Sequence, residues 1–524
     1  MMEEFAGFYQ KFRNNPCPPT SGKISLMRQP LLRLAGPLLF AGSLLLQAQD
    51  ASLVLRTSVG YRTQLGSLPL SDEQQKKADQ LGQEAQRAAA AGKFADAMRD
   101  YYQGLAIMRG IPWTPAYALA ASLQAKLDHA LIAPGGTATL TLAPLYTTDG
   151  APKILASVFL VPAKKETGNE KSLATGLAID PAALSFSSTV TVPPGVNGDY
   201  SLEVRLTSEG EEPVAAARPA LTKTVPVHIE GLSGDAQHLR DRLAKAGKHD
   251  GSALPTAEYA LVLYERADRG EINPHRYNFH DEFSNANQIL DQLDSGHDPF
   301  AGKRGDTHKA YRSAVDQTLQ PYRLLIPKSY DGTKPMPLLV ALHGMGGDEN
   351  SMFDAYKEGL LKREAERDSF LVVCPKGRDS ASMYRGSAEQ DVLDVISEVE
   401  RDYKVDLNRV YLMGHSMGGY GTWSIAMDHP DMFAALGPIS GGGNPAGMVK
   451  LRSIPEYVVH GDNDKTVPVT QSRTMVEAGK KAGANITYVE IPGGSHVDVA
   501  APQFAPMLDF FAKQSRHSAE TATQ

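Results

Sequence analysis

From Ala310 onward, short apolar runs alternate with helical patterns: YRLLIP, PLLVALHG, FLVVCPKG, RVYLMG, EYVVHG and ITYVEIPG are separated by segments such as Ala388 to Tyr403. A run that is apolar at every position has no face left for water, so such strands must be covered on both sides. Helices between successive strands supply that cover and force the strands to run parallel. This predicts an α/β domain over residues 310–515 with a mostly parallel sheet flanked by helices. In such sheets ligands sit beyond the carboxyl ends of the strands.

The fourth run breaks off abruptly, in RVYLMGHSMGGYGTW from Arg409 to Trp423. Gly414, His415, Ser416, Met417 and Gly418 fit G-x-S-x-G, the pattern of a nucleophile on a tight strand-to-helix turn. The glycines two before and two after the serine let strand and helix approach. A glycine-rich turn with an ordinary serine fits the five residues equally well, so its partners must decide. A serine hydroxyl needs a base to take its proton and an acid to orient that base. After Glu456–Val459 comes HGDNDKTVP, offering Asp462 and Asp464, and after Ile486–Ile491 comes PGGSHVD, offering His496. The order Ser, Asp, His at successive strand ends is the one required. Backbone amides supply the oxyanion donors: Met417, which follows the nucleophile, and Met345 in LLVALHGMGGDEN. His343 is read as holding that loop by a hydrogen bond.

HGMGG, GHSMGGYGTW, HGDNDKTVP and GGSH, in this order, resemble the α/β-hydrolase superfamily. More narrowly, DLNRVYLMGHSMGGYGTW resembles the exported esterases grouped with polyhydroxybutyrate-depolymerase-like and feruloyl-esterase-like proteins, some labelled predicted peptidases. The resemblance covers the last 200 or so residues. It implies a catalytic set of Ser416, Asp464 and His496, with Asp462 shaping the loop, and an acyl-enzyme route to ester hydrolysis without metal or organic cofactor. A serine peptidase is the first alternative, and a binding protein with an inactive hydrolase domain the second. No repeated four-stranded blade pattern of a substrate-filtering propeller is visible.

The rest of the 524 residues reads as further modules in a multidomain chain. From Met27, Arg28 and Arg33 precede an apolar stretch, Leu34 to Leu46, with small and polar residues near Ala48: a signal-peptide pattern. Residues 1–48 are therefore read as lead-in and leader, with Met27 the true start and the product periplasmic or extracellular. No other stretch approaches the length of a membrane span. Residues 70–130 predict a helical hairpin with a Ser71/Gln74 capping box and a break at Ala91-Gly92-Lys93. Phe94, Ala97, Tyr101 and Leu105 resemble a single tetratricopeptide-like unit, read as packing.

Residues 135–230 carry short alternating runs between turn residues. They are read as an Ig-like β-sandwich, either a spacer or a contact for carbohydrate. Residues 232–300 read as a helical connector. A linker then carries Arg304-Gly305-Asp306 on a loop, and 516–524 is a tail. Tyr384 and Arg385, within Asp379 to Gln390, are a candidate rim. The expected substrate is a small-molecule or polymer-linked ester. A net charge of −7 argues against nucleic acid. The two cysteines, Cys17 and Cys374, allow neither a disulfide framework nor a cysteine zinc site.

Overall fold

The computed structural model describes residues 36–164, 169–208, 222–247 and 252–516, with side chains from residue 51. Of the leader expected between Met27 and Ala48, residues 27–35 lie outside the described residues and the remainder falls within helix Gly36–Ser67. Cys17, the proposed start and nearly all of the tail lie outside them too. No described helix is long and apolar enough to cross a membrane.

The chain divides into two compact units. The first, which runs to Trp113 and includes Leu145–Thr147, is helical: Gly36–Ser67, Asp72–Ala90 and Phe94–Met108. Asp72–Ala90 starts at the Ser71/Gln74 capping box, in which each side chain bonds the other's backbone amide. Its Ala78, Ala85 and Ala89 are buried with Ala97 and Tyr101 of the third helix. Tyr61 fills the centre and donates its hydroxyl to Ala78 O at 2.6 Å.

The second unit begins at Thr114 with helix Pro115–Ser122. Eight strands follow: β1 Leu123–Leu127, β2 Leu131–Ile132, β3 Thr137–Pro144, β4 Ile154–Pro162, β5 Lys171–Ile179, β6 Phe186–Thr191, β7 Gly198–Ser208 and β8 Thr222–Ile229. They form sheets of order β1-β3-β6 and β2-β8-β7-β4-β5. Leu140 and Leu142 of β3 share one hydrophobic cluster with Val158 and Leu160 of β4 and Leu202 and Val204 of β7. The period-2 burial along β3 and β4 is the side-chain alternation of strands with one covered face. Helices Ser233–Leu243, Ala253–Asp268 and Phe279–Asp294 come next and pack around Leu263, Phe279 and Phe283.

The remaining strands are β9 Gly305–Arg312, β10 Leu319–Ile326, β11 Met336–Leu342, β12 Leu371–Pro375, β13 Val405–His415, β14 Ala435–Ile439, β15 Glu456–Gly461 and β16 Ile486–Ile491. Their single sheet has the order β16-β15-β14-β13-β11-β12-β10-β9. It is parallel from β16 to β12, with β10 antiparallel to both β12 and β9. Alternate residues of β11 enter opposite cores: Leu338, Val340 and Leu342 one, Leu339 and Ala341 the other. Helices Ser387–Asp402 and Met417–Asp428 cover the first face, Leu360–Asp368 and Phe504–Phe511 the second. Each fully buried Leu or Val contributes about 1.5–3 kcal/mol, so β11 alone supplies a large fraction of the stability of a marginal fold.

Two sequence expectations need correction here. Arg304-Gly305-Asp306 is not a loop tripeptide. Gly305 opens edge strand β9, and Asp306 pairs with Arg323 and, at 2.8 Å, with Lys362. The sheet therefore starts at residue 305 rather than 310. Tyr384 is not a rim residue: it is fully buried, and its hydroxyl donates to His343 O at 3.3 Å.

Candidate active site

Strand order places the site. From β11 the chain steps to β12 on one side and later to β13 on the other, so the loops after β11 and β13 diverge over a crevice. Ser416 follows β13 with φ 58° and ψ −117°, and helix Met417–Asp428 starts at the next residue. Such a conformation is costly for a residue with a side chain and persists only where its surroundings hold it. Here Ser416 N–H donates to Ile439 O at 2.9 Å. Gly414 and Gly418 are sterically required: a Cβ on Gly414 would lie 2.4 Å from Gly418 O, and one on Gly418 would lie 2.2 Å from Leu342 O.

The HGMGG loop lies against the serine, since a Cβ on Gly344 would sit 3.4 Å from Ser416 Cβ. The ring nitrogens of His343 face Gly344 O in the turn and Lys376 O just after β12, each at 2.8 Å, and link the two loops. Gly346 N–H donates to Ser380 O and Gly347 N–H to Gly344 O. Among the described residues, Met345 N–H and Met417 N–H form no hydrogen bond to protein. The Met417 side chain is buried in the core, so its backbone is what the site can use.

Asp464, in the loop after β15, and His496, in the loop after β16, meet above Ser416. His496 Nδ1 lies 2.6 Å from Asp464 Oδ2, and its Nε2 lies 2.9 Å from Ser416 Oγ. Asp464 Oδ1 accepts from Thr466 N–H and Val467 N–H, both at 2.8 Å. Burial by itself would raise the Asp464 pKa. Hydrogen bonds from His460, His496 and the Val467 amide outweigh that and hold it far below the usual carboxylate range. An ionised carboxylate only accepts, so His496 carries its proton on Nδ1 and presents the Nε2 lone pair to the serine hydroxyl. Asp462 sits apart from the histidine, and its Oδ1 accepts from Gly493 N–H at 2.7 Å.

Three further histidines serve this region, and the sequence motifs point to no role for them. His460 is fully buried, with Nε2 2.9 Å from Val467 O and 3.2 Å from Asp464 Oδ2. His415 is buried between Tyr356 and His496 O. His308 on β9 lies 3.2 Å from Glu349, just past the HGMGG turn, in an ion contact not aligned as a hydrogen bond. Arg276, from the short turn before helix Phe279–Asp294, pairs with Asp348 at 2.8 Å. The helical segment thus braces the far end of the glycine-rich loop. Except for the local contacts of His460, only long-range pairing reveals these contacts, because the partners are tens of residues apart.

Residues 320–483 match the model of a family described as putative esterase. The carboxy-terminal domain is thus similar in sequence to esterases. A bifunctional acetylxylan esterase/xylanase of Neocallimastix patriciarum is 33% identical to the chain over 140 residues, 26% of this chain and 20% of that protein. A probable feruloyl esterase C of Aspergillus oryzae is 29% identical over 185 residues, 34% of this chain and 68% of that protein. The chain thus spans a fifth of the first relative and about two thirds of the second. Among solved structures, a thermostable esterase overlays with TM-score 0.37 at 18% identity, covering 75% of this chain and all of that one. A feruloyl esterase module from Clostridium thermocellum overlays with TM-score 0.36 at 19% identity, covering 42% and 91%. The matched residues include Ser416 and Asp464, while His496 lies beyond the family match.

Proposed function

We propose that this chain is an exported carboxylic-ester hydrolase whose nucleophile, base and acid are Ser416, His496 and Asp464. The observation that carries the reading is His496 bridging Ser416 Oγ and Asp464 Oδ2 at 2.9 and 2.6 Å. His496 Nε2 takes the Ser416 proton as Oγ attacks the ester carbonyl, and Asp464 stabilises the imidazolium. Met345 and Met417 N–H receive the oxyanion. His496 then protonates the departing alcohol, and water hydrolyses the acyl-enzyme by the same steps in reverse.

Feruloyl and acetyl esters of hydroxylated polymers are the substrates to test first, because the matched relatives are named for them. Those relatives are esterases, which leaves the peptidase reading unfavoured. The paired sheets of residues 123–229 are read as a spacer module rather than a carbohydrate platform, because the ring of Phe159 is capped by the Arg205 guanidinium at 4.1 Å. Fluorophosphonate labelling lost in a folded Ser416→Ala variant, with parallel rates on feruloyl, acetyl and peptide substrates, tests the proposal. Retention of more than about a hundredth of turnover by Ser416→Ala would refute it, since removing such a nucleophile costs about 10⁶.

A further inference from the structure

We propose that His415, backed by Tyr356, is a positioning residue that holds the His496 backbone so that its ring stays on the Ser416 hydroxyl. This rests on the reading of Ser416 and His496 as nucleophile and base. Asp464 fixes one nitrogen of the His496 ring, but that contact alone lets the ring pivot with its loop. The loop itself, PGGSH, carries adjacent glycines and a positive φ of 70° at Gly493, and its first part is held by Gly493 N–H on Asp462 Oδ1, Ser495 N–H on Asp498 Oδ1 and Asn463 N–H on Gly494 O. At His496 itself the backbone anchor is the carbonyl, which lies 2.7 Å from His415 Nε2 and accepts more distantly from Ser440 Oγ at 3.5 Å.

The chemistry of the atoms gives this chain of bonds one direction. A carbonyl can only accept, so His415 carries its proton on Nε2 and leaves a lone pair on Nδ1. The Tyr356 hydroxyl, 2.7 Å from Nδ1, is then the donor. Tyr356 is itself set edge-on against His415 and against Phe504, with ring centroids 5.7 and 5.5 Å apart. Three segments distant in sequence therefore meet on one imidazole.

His415 also has to stay uncharged, because its ring centroid lies 4.8 Å from that of His496, which becomes cationic during proton transfer. Burial, with a smaller contribution from His496, pushes the His415 pKa down to about 4. The residue next to the nucleophile thus fixes the loop that carries the base. A displacement of about 1 Å at such a base costs roughly 100-fold in rate.

The test compares His415→Leu, His415→Gln and Tyr356→Phe in the full chain, with Ser416→Ala in parallel. Leucine fills the space without a donor, whereas glutamine carries an N–H to the Nε2 position. The expected result is a fall in kcat of about 10- to 100-fold for His415→Leu with KM within about threefold. His415→Gln should recover kcat to within about fivefold, and Tyr356→Phe should fall between the two. The rate of fluorophosphonate labelling should follow the same order. Equal losses for leucine and glutamine, or wild-type kcat for His415→Leu, overturn the proposal. If His415→Leu does not fold, wild-type kcat for Tyr356→Phe overturns it. Activity in Ser416→Ala would instead overturn the catalytic reading on which it rests.

Discussion

Replacing Asp464 by asparagine changes one oxygen to an amide and little else in shape. The new side chain keeps its carbonyl oxygen for Thr466 N–H and Val467 N–H, which now bind Oδ1 at 2.8 Å. Its NH2 group then occupies the position of Oδ2, 2.6 Å from His496 Nδ1 and 3.2 Å from His460 Nε2. Two donors cannot face each other there, so His496 must move its proton from Nδ1 to Nε2. Nε2–H then points at the Ser416 hydroxyl and cannot accept its proton. A wrong-tautomer base of this kind loses about 10⁴ in kcat, or about 5 kcal/mol of transition-state stabilisation. Folding should suffer less, about 1–3 kcal/mol, because the amide hydrogen bonds survive.

The assay is kcat on an activated ester, with circular dichroism and thermal melting to verify the fold. Asp462→Asn is the control. Asp462 Oδ1 accepts only Gly493 N–H among the described contacts, an acceptor role that asparagine retains. Activity should therefore stay within about threefold. Asp464→Asn retaining more than a tenth of wild-type kcat, or Asp462→Asn losing as much, would show that the acid has been misassigned.

Glu456 is fully buried, its Oε2 accepting from Trp423 Nε1–H at 2.8 Å, and burial raises its pKa from 4.5 to about 7. The folded state binds this proton more tightly than the unfolded chain. Stability is therefore full below pH 4.5, falls as the pH rises toward 7, and stays lower by about 3 kcal/mol above that. Glu456→Gln should melt higher than wild type at pH 8 and equally at pH 4, and equal melting at both would refute the assignment. Gly418→Ala places a methyl 2.2 Å from Leu342 O, a backbone atom that cannot swing aside. It should cost more than the 1–3 kcal/mol of ordinary overpacking and abolish serine labelling; a near-wild-type denaturation midpoint would contradict this. A chain starting at Ala310 loses His308, stranding Glu349, which is 1% exposed, and loses Asp306, leaving Arg323 to Asn350 and Asp354. Such a fragment should lose about 3–5 kcal/mol relative to one starting at Thr114, and equal melting temperatures would count against the bracing contacts.

Several elements read directly from local pattern. Asp72–Ala90 announces itself by its capping box, β11 and β12 by unbroken apolar runs, and β15 by the apolar centre Tyr457-Val458-Val459. β14 escaped because ALGPI contains Gly437 and Pro438, which ordinarily argue against a central strand. Gly437 is there because a Cβ would lie 2.3 Å from Met507 Sδ, a residue 70 positions away. β9, GDTHKAYR, looks like a linker because an edge strand faces water along part of its length, and pairing with β10 is what makes it a strand.

The sequence by itself determined the alternating strands and helices, the glycine spacing at Ser416, and the order of serine, aspartate and histidine along the chain. Those are local or ordinal properties, set by side-chain period and by the backbone freedom of glycine. The tertiary structure alone decided which atoms meet: His415 on the carbonyl of His496, Arg276 on Asp348, and His308 beside Glu349. Hydrogen bonds and ion pairs act over about 3 Å, and residues tens of positions apart come that close only where the sheet order brings their loops together.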